Sequence, residues 1–208
     1  MTRRALAAAL VALALTSAGC GAFKRFAYSG LSRDEWQQPE RVVSALALAP
    51  GARVADLGAG GGYFTFRLAD AVGPGGRVYA VDVDDDMIEY LRDRVTAEGR
   101  ANVEVVRAEP DDPRLPDRRI DLVFTCDTYH HLTQRSEYFA KLRTDLAPGA
   151  RVAILDLNDR SWFGRLFGHQ TPKQTIVDEL TAAGYRLVAD HEGVIDRQNF
   201  LIFEAVAR

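Results

Sequence analysis

The sequence has few cysteines, no excess of basic residues and no histidine spacing typical of metal sites. Cys20 and Cys126 are the two cysteines among 208 residues, which excludes a disulfide framework. Lys and Arg number 26 against 29 Asp and Glu, so the net charge of −3 provides no basic excess for binding nucleic acid. The four histidines lack both C-x-x-C neighbours and H-E-x-x-H spacing, and we therefore expect no metal site. The hydrophobic fraction of 47% is that of a globular protein with its own core.

The first twenty residues are predicted to lie outside the folded domain. Arg3 and Arg4 precede an uncharged stretch of Ala, Leu and Val at residues 5–15, and small residues then lead directly to Cys20. This order resembles a bacterial lipoprotein signal, although Ser17 stands where that family prefers Leu. The resemblance implies cleavage before Cys20 and lipidation of the cysteine. An uncleaved anchor helix is the alternative.

These features divide the chain into three parts. We predict a signal peptide at residues 1–19, a tether at 20–33 and a folded domain at 34–208. The expected location is a membrane, as a bacterial lipoprotein, and the cytoplasm is the alternative. Basic residues flank the apolar stretch on both sides, so charge does not determine which side of the membrane the domain faces.

The rest of the sequence alternates between strand and helix patterns. Short apolar runs predict strands at residues 53–57, 77–83, 103–106, 120–125, 151–157, 185–190 and 200–206. Helical spacing of apolar residues predicts helices between most of them, and the helix containing Phe139, Leu142 and Leu146 is expected to end at Pro148-Gly149. This alternation predicts an α/β fold with a doubly wound, mostly parallel sheet. Ligands of such sheets bind at the carboxyl ends of the strands.

A glycine loop follows the first predicted strand. Gly58, Gly60 and Gly62 have G-x-G-x-G spacing, and Asp56 precedes the first glycine by two residues. The dinucleotide fingerprint G-x-G-x-x-G needs glycine at Tyr63, which argues against a nicotinamide oxidoreductase. A carboxylate at this place favours a ligand with a cationic group over a diphosphate.

The second predicted strand carries Asp82 near its end, where a carboxylate can accept hydrogen bonds from both hydroxyls of a ribose. Asp56 and Asp82 together indicate a ligand with an ammonium group and a ribose, and S-adenosylmethionine has both. From Trp36 to the C-terminus the chain resembles class I S-adenosylmethionine-dependent methyltransferases. The similarity is greatest to the small-molecule branch that contains ubiquinone/menaquinone C-methyltransferases. The matching residues are the loop at 56–62, Asp82, Pro148-Gly149 and the segment 183–185.

The resemblance implies a seven-stranded Rossmann-like sheet of order 3-2-1-4-5-7-6 with an antiparallel last strand. It places the loop residues Gly58, Ala59, Gly60 and Gly62 beside the methionyl part of the cofactor. Asp56 would face the ammonium group and Asp82 the ribose. The residues expected around the adenine are Val83, Met87 and Glu109. Pro110 lacks the backbone N–H that the family usually directs to the adenine ring.

Candidate catalytic residues follow the fourth predicted strand. We predict that Asp127 and His130 lie near the transferred methyl group, where a base assists a hydroxyl or amine acceptor. His130 could instead simply begin a helix, and we expect Cys126 to pack rather than react. Asp127, Asp156 and Asp159, together with Asn158, are roughly placed to be the metal ligands of a metal-dependent O-methyltransferase. We interpret them as surface acids, however, because the adjacent Asp-Asn pair of that family is absent.

The acceptor is expected to enter over two segments. One holds Trp36 and Gln37. The other, residues 158–171, holds Trp162, Phe163, Phe167 and His169. An aromatic loop of this kind could close an apolar pocket, rest on a membrane or simply pack.

The resulting functional hypothesis is an S-adenosylmethionine-dependent methyltransferase of a small, lipophilic acceptor. The partners expected are this acceptor and, through the N-terminal segment, a membrane, but no nucleic acid. The alternative is a membrane-tethered protein that binds the cofactor, or another nucleotide, without catalysis. The glycine loop does not separate the two, because both need it.

Overall fold

The computed structural model describes residues 33–116, 119–161, 166 and 169–206. The helices are α1 (Arg33–Gln37), α2 (Pro39–Ala45), α3 (Thr65–Val72), α4 (Asp85–Ala97), α5 (Arg135–Leu142) and α6 (Lys173–Ala182). The strands are β1 (Arg53–Leu57), β2 (Arg77–Asp82), β3 (Val103–Arg107), β4 (Ile120–Cys126), β5 (Leu146–Leu157), β6 (Tyr185–Asp190) and β7 (Gln198–Ala205). Single 3-10 turns cover Tyr129–His131 and Arg143–Asp145. The proposed signal peptide, the lipidated Cys20 and most of the tether lie outside the described residues.

The described strands form one seven-stranded sheet of order β3-β2-β1-β4-β5-β7-β6. Neighbouring strands from β3 to β5 are parallel. β7 runs antiparallel to both β5 and β6. The predicted fold class is therefore confirmed, together with the strand order and the antiparallel last strand. Reversal of strand order between β1 and β4 creates the switch point at which such sheets bind ligands.

Apolar side chains cover both faces of the sheet. One buried cluster includes Val54, Leu68, Val78 and Phe124. A second cluster on other residues of the same strands includes Ala55, Val123 and Ile154. Successive side chains of a strand point to opposite faces, so the central strands need apolar residues at every position. This requirement explains why these strands read as continuous apolar runs.

The boundary before β5 differs from the prediction. The helix predicted to continue to Pro148 ends at Leu142, and Leu146 already pairs with Ile120 of β4. A register shift then lets Arg151 pair with Leu122. Pairing with β4 therefore overrides the helical spacing of Leu142 and Leu146.

The first residues of α2 and α4 are of types that favour the start of a helix. Pro39 occupies the first turn of α2, and the side chain of Asp84 caps α4 by accepting from the backbone N–H groups of Asp86 and Met87. Among the described residues, no helix combines the length and the hydropathy that crossing a bilayer requires.

Candidate active site

A cavity of about 950 Å³ opens at the carboxyl ends of β1, β2, β4 and β5. This volume is in the range of small-molecule sites. Most of the predicted site residues line it together: Asp56, Gly58, Ala59, Gly60, Asp82, Val83, Glu109, Asp127 and His130. The strand ends therefore bring together the predicted cofactor loop and the predicted catalytic residues.

The glycine loop lies directly against the end of β2. The backbone N–H groups of Gly58 and Ala59 donate to the carbonyl oxygen of Val81 at 2.8 and 3.0 Å. The N–H of Gly60 donates to Oδ2 of Asp82 at 2.8 Å. Gly58 has φ +74°, and a Cβ atom there would lie 2.1 Å from Oγ1 of Thr128. Glycine at this position therefore satisfies both a left-handed backbone and a close contact.

Two predicted cofactor residues do not line the cavity. Gly62 lies at φ +82°, where a Cβ atom would meet the Phe66 ring at 2.5 Å. The side chain of Met87 is 1% exposed, on the buried face of α4. The prediction that Met87 flanks the adenine is therefore wrong for this conformation, because α4 turns Met87 into the core. Gly62 lets the loop pack on α3 and α4 instead of meeting a ligand.

Asp56 is buried at the base of the loop, where its side chain is 3% exposed. Oγ1 of Thr65 donates to its Oδ2 at 2.6 Å. Burial raises the pKa of Asp56 to about 7, and the bond from Thr65 opposes this shift. A cationic ligand group would favour the ionised carboxylate.

The β2 end of the cavity combines apolar and acidic groups. Val83 is 49% exposed on the cavity wall, an unusual exposure for a valine beside a buried strand. Oδ1 of Asp82 accepts from the N–H of Asp84 at 2.9 Å. Glu109 is partly exposed and pairs with Arg114 at 3.2 Å. Pro110 also lines this wall.

Asp127 lies at the opposite end, just after β4. Its backbone adopts φ +52°, a conformation that non-glycine residues rarely take and that often marks functional positions. Nε2 of Gln198 donates to its Oδ1 at 2.7 Å, and Nε2 of Gln37 lies 3.4 Å from its Oδ2. Burial and the charge of Asp156 raise the pKa of Asp127. The sequence suggested no role for Gln198, because no local motif marks it.

Gln37 and Cys126 lie beside Asp127 at this end of the cavity. The expectation that Gln37 borders the acceptor entrance is wrong, since its side chain is fully buried and donates to Oε1 of Gln198 at 3.0 Å. Nε2 of Gln37 also donates to Sγ of Cys126 at 3.1 Å. Burial raises the pKa of the Cys126 thiol, which therefore stays protonated and packs.

His130 is held by a buried carboxylate. Its Nδ1 lies 2.8 Å from Oδ1 of Asp156, and Oγ1 of Thr171 donates to Oδ2 of Asp156 at 2.9 Å. The interpretation of Asp156 as a surface acid is wrong, because its side chain is 0% exposed. His131 and His169 line the same wall beside His130. Burial, His130 and His169 lower the pKa of His131.

Residues from both predicted entrance segments border the cavity. Trp36, Ser161 and His169 line it, as expected of the two predicted entrance segments. Trp162, Phe163 and Phe167 lie outside the described residues. Arg33 was assigned to the tether but is the first residue of α1, and its guanidinium lies 3.9 Å from the centroid of the Tyr63 ring.

Comparison with known proteins agrees with this geometry. Residues 54–149 match a family described as a methyltransferase domain. The chain is also similar to a solved structure of a SAM-dependent methyltransferase from Aquifex aeolicus, with a TM-score of 0.77 and 29% identity. That similarity covers 85% of this chain and 94% of the other. The chain therefore has the fold of class I S-adenosylmethionine-dependent methyltransferases.

Two curated relatives match over shorter parts of their length. A ubiquinone/menaquinone biosynthesis C-methyltransferase from Ectopseudomonas mendocina is 33% identical over 117 residues, or 56% of this chain and 46% of the relative. An arsenite methyltransferase from Halobacterium salinarum is 31% identical over 156 residues, or 74% of this chain and 38% of the relative. The chain thus spans less than half the length of these curated relatives.

Proposed function

We propose that this chain, which carries a class I methyltransferase domain, transfers a methyl group from S-adenosylmethionine to a small, lipophilic acceptor. One observation carries the proposal. The carboxylates of Asp56 and Asp82 lie at the ends of adjacent strands and border one cavity, with the N–H of Gly60 bonded to Asp82. A ligand with an ammonium group and a ribose matches this pair of acids. The match to a methyltransferase domain supports the same donor.

The cofactor would extend from Val83 to Asp56 along the ends of β2 and β1. Its ribose hydroxyls would donate to Asp82, because each carboxylate oxygen retains a lone pair beyond its backbone bond. Its adenine would cover the exposed face of Val83. Arg33 lies close enough to lower the pKa of Asp56 and would meet the methionine carboxylate.

Methyl transfer demands mainly alignment from the protein. The acceptor atom attacks the methyl carbon in line with the sulfonium, the carbon–sulfur bond breaks, and its electron pair remains on sulfur as S-adenosylhomocysteine. Asp127, fixed by Gln198, would hold the acceptor on the far side of the methyl group. Its raised pKa suits it to accept a proton that the acceptor releases.

The proposed acceptor class rests on apolar side chains in the cavity lining. Trp36, Leu132, Tyr138 and Leu157 contribute apolar surface to the cavity. This apolar surface favours a lipophilic molecule that Asp127 orients. The curated relative named for ubiquinone/menaquinone biosynthesis supports a small acceptor of this kind.

Turnover distinguishes this proposal from cofactor binding without catalysis. The full chain is incubated with S-adenosylmethionine carrying a labelled methyl group and with a bacterial lipid extract. We expect S-adenosylhomocysteine and a labelled product, identified by mass spectrometry, and less of both from the Asp82→Ala variant at a limiting concentration of the donor. Binding of the donor without any transfer would favour the tethered binding protein.

We also propose that the N-terminal segment attaches the protein to a membrane through lipidated Cys20. The support is the sequence order of two arginines, an apolar stretch and small residues before the cysteine. Mass spectrometry of the mature N-terminus should find a lipidated peptide beginning at residue 20, and Cys20→Ser should accumulate the unprocessed chain. An intact Met1 peptide in the soluble cytosolic fraction would contradict this proposal.

A further inference from the structure

Three of the four histidines meet on one wall of the cavity, although they are distant or unpatterned in the sequence. One ring nitrogen from each of His130, His131 and His169 lies within 4.8 Å of the others. The ring centroids of His130 and His131 are 4.1 Å apart, and each is 5.1 Å from that of His169. We propose that this cluster binds a divalent transition-metal ion, with Zn²⁺ as the first choice.

The hydrogen bonding of His130 suits a metal ligand. The side chain is 6% exposed, and its Nδ1 meets Asp156 at 2.8 Å. A carboxylate only accepts hydrogen bonds, so Nδ1 carries the proton and Nε2 keeps its lone pair. Nε2 is buried and has no hydrogen-bond partner. A histidine that gives one ring N–H to a carboxylate and offers the other nitrogen is the usual arrangement beside a protein-bound metal.

The carboxylate of Asp156 is also held in place, by hydrogen bonds to both of its oxygen atoms. Asp156 is fully buried at the end of β5, and its second oxygen accepts from Thr171. This pair holds the imidazole of His130 in one orientation. A rigid carboxylate–histidine pair therefore anchors the site.

The remaining two histidines can complete the coordination with small movements. Nitrogen atoms bound to one tetrahedral zinc ion are separated by about 3.3 Å, given zinc–nitrogen distances of 2.0–2.1 Å. His131 is exposed on the 3-10 turn Tyr129–His131, so its side chain can rotate toward its neighbours. Ordinary rotamer adjustment therefore covers the difference from 4.8 Å.

Three neutral imidazoles leave one position of a tetrahedral ion open, which is the pattern of catalytic rather than structural zinc sites. Imidazole ligands select zinc, copper, iron or nickel over magnesium and calcium. The open position would face the cavity that the three histidines line. This assignment differs from the proton-accepting role that the sequence suggested for His130, and it does not depend on methyl transfer.

Metal binding is measured directly on the full chain, purified without a histidine tag and without S-adenosylmethionine. Competition with a chromophoric zinc chelator should give one Zn²⁺ per chain. We expect His131→Ala and His169→Ala to weaken binding at least tenfold, and excess Mg²⁺ not to compete. His191→Ala is the matched control, because His191 stacks on Phe200 and does not line the cavity.

One further variant, and a check that the His131→Ala variant is folded, complete the test. Asp156→Asn should reduce zinc affinity by about 10–100-fold, the usual effect of losing a ligand's carboxylate partner. His131→Ala changes an exposed side chain, so the fold should persist, as checked by cooperative thermal unfolding. No zinc binding by the folded wild type, or zinc binding that survives the His131, His169 and Asp156 changes, would overturn the proposal.

Discussion

The backbone N–H of Gly60 donates a 2.8 Å hydrogen bond to Oδ2 of Asp82. This bond joins the loop after β1 to the end of β2, the two segments that border the candidate ribose site. The second oxygen of Asp82 accepts from the N–H of Asp84, at the start of α4. Asp82 therefore holds these two segments together and also lines the cavity.

Loss of Asp82 should weaken binding of S-adenosylmethionine. We expect Asp82→Ala to reduce the affinity at least tenfold, on the order of 1.4 kcal/mol, because the variant removes a charged acceptor and the bond from Gly60. Isothermal titration calorimetry measures the effect. Asp93→Ala, an exposed change on α4, should bind as the wild type does. Equal affinity of folded Asp82→Ala and wild type would remove the ribose assignment.

Gly58 and Gly149 provide a matched pair for testing the glycine loop. Both have φ +74°, but a Cβ at Gly149 meets no atom within 4 Å, whereas one at Gly58 would lie 2.1 Å from Thr128. Alanine at either site costs about 1–2 kcal/mol for the left-handed backbone. Gly58→Ala should in addition displace the loop and abolish cofactor binding.

Calorimetry measures cofactor binding by these two variants, and urea unfolding measures their stability. Together they separate the effect of backbone strain from that of the close contact with Thr128. Gly149→Ala should lower the free energy of unfolding and leave cofactor affinity intact. If Gly58→Ala binds the cofactor as tightly as Gly149→Ala does, the close approach of this loop to Thr128 has no role in binding.

Asp56 should make stability depend on pH in a specific direction. Burial raises its pKa from 3.8 to about 7, so the folded state holds the proton more tightly than the unfolded state. Its contribution to stability is therefore complete below the unfolded pKa and is lost as the pH rises through about 7. Between about pH 5 and pH 8 the free energy of unfolding should fall by on the order of 2–3 kcal/mol, since a pKa shift of one unit corresponds to about 1.4 kcal/mol.

The Asp56→Asn variant tests this linkage, because it keeps the shape but cannot titrate. Urea unfolding at both pH values should show a smaller decline for Asp56→Asn than for the wild type. The exposed change Asp70→Asn should leave the decline unaltered. A wild type and an Asp56→Asn variant with the same pH dependence would contradict the shifted pKa.

The sequence could predict what depends on local residue order. The glycine spacing and the acids near the ends of β1 and β2 can each be recognised from a few neighbouring residues. Of the residues assigned to the loop, Gly58, Ala59 and Gly60 line the cavity and Gly62 does not. Met87 was assigned to the adenine by the family resemblance, but it lies on the buried face of α4 together with Leu91. Leu146 was misplaced because strand pairing overrides helical periodicity.

The other end of the cavity depends on contacts between distant parts of the chain. Gln198 reaches Asp127 from β7, and Asp156 reaches His130 from β5. His169 joins His130 from beyond β5. No spacing rule brings these residues together, because only the order of strands in the sheet makes them neighbours. The expectation of no metal site rested on spacing alone and therefore could not detect the histidine cluster.

Gln198 should act as a positioning residue for Asp127. Gln198→Met removes the 2.7 Å bond to Oδ1 while keeping a side chain of similar length. We expect turnover to fall about tenfold or more and the affinity for S-adenosylmethionine to stay constant, since Gln198 does not line the cavity. Gln174→Met on α6, an exposed position, is the control. A parallel fall in cofactor affinity and turnover would indicate a general structural role instead.

A crystal structure of the full chain with S-adenosylhomocysteine tests the central claim most directly. We predict both ribose hydroxyls within hydrogen-bond distance of the Asp82 carboxylate, the adenine against Val83 and the amino group toward Asp56. The sulfur atom should face Asp127 across the space left for the acceptor. A ligand bound elsewhere, or one whose ribose makes no contact with Asp82, would contradict the account.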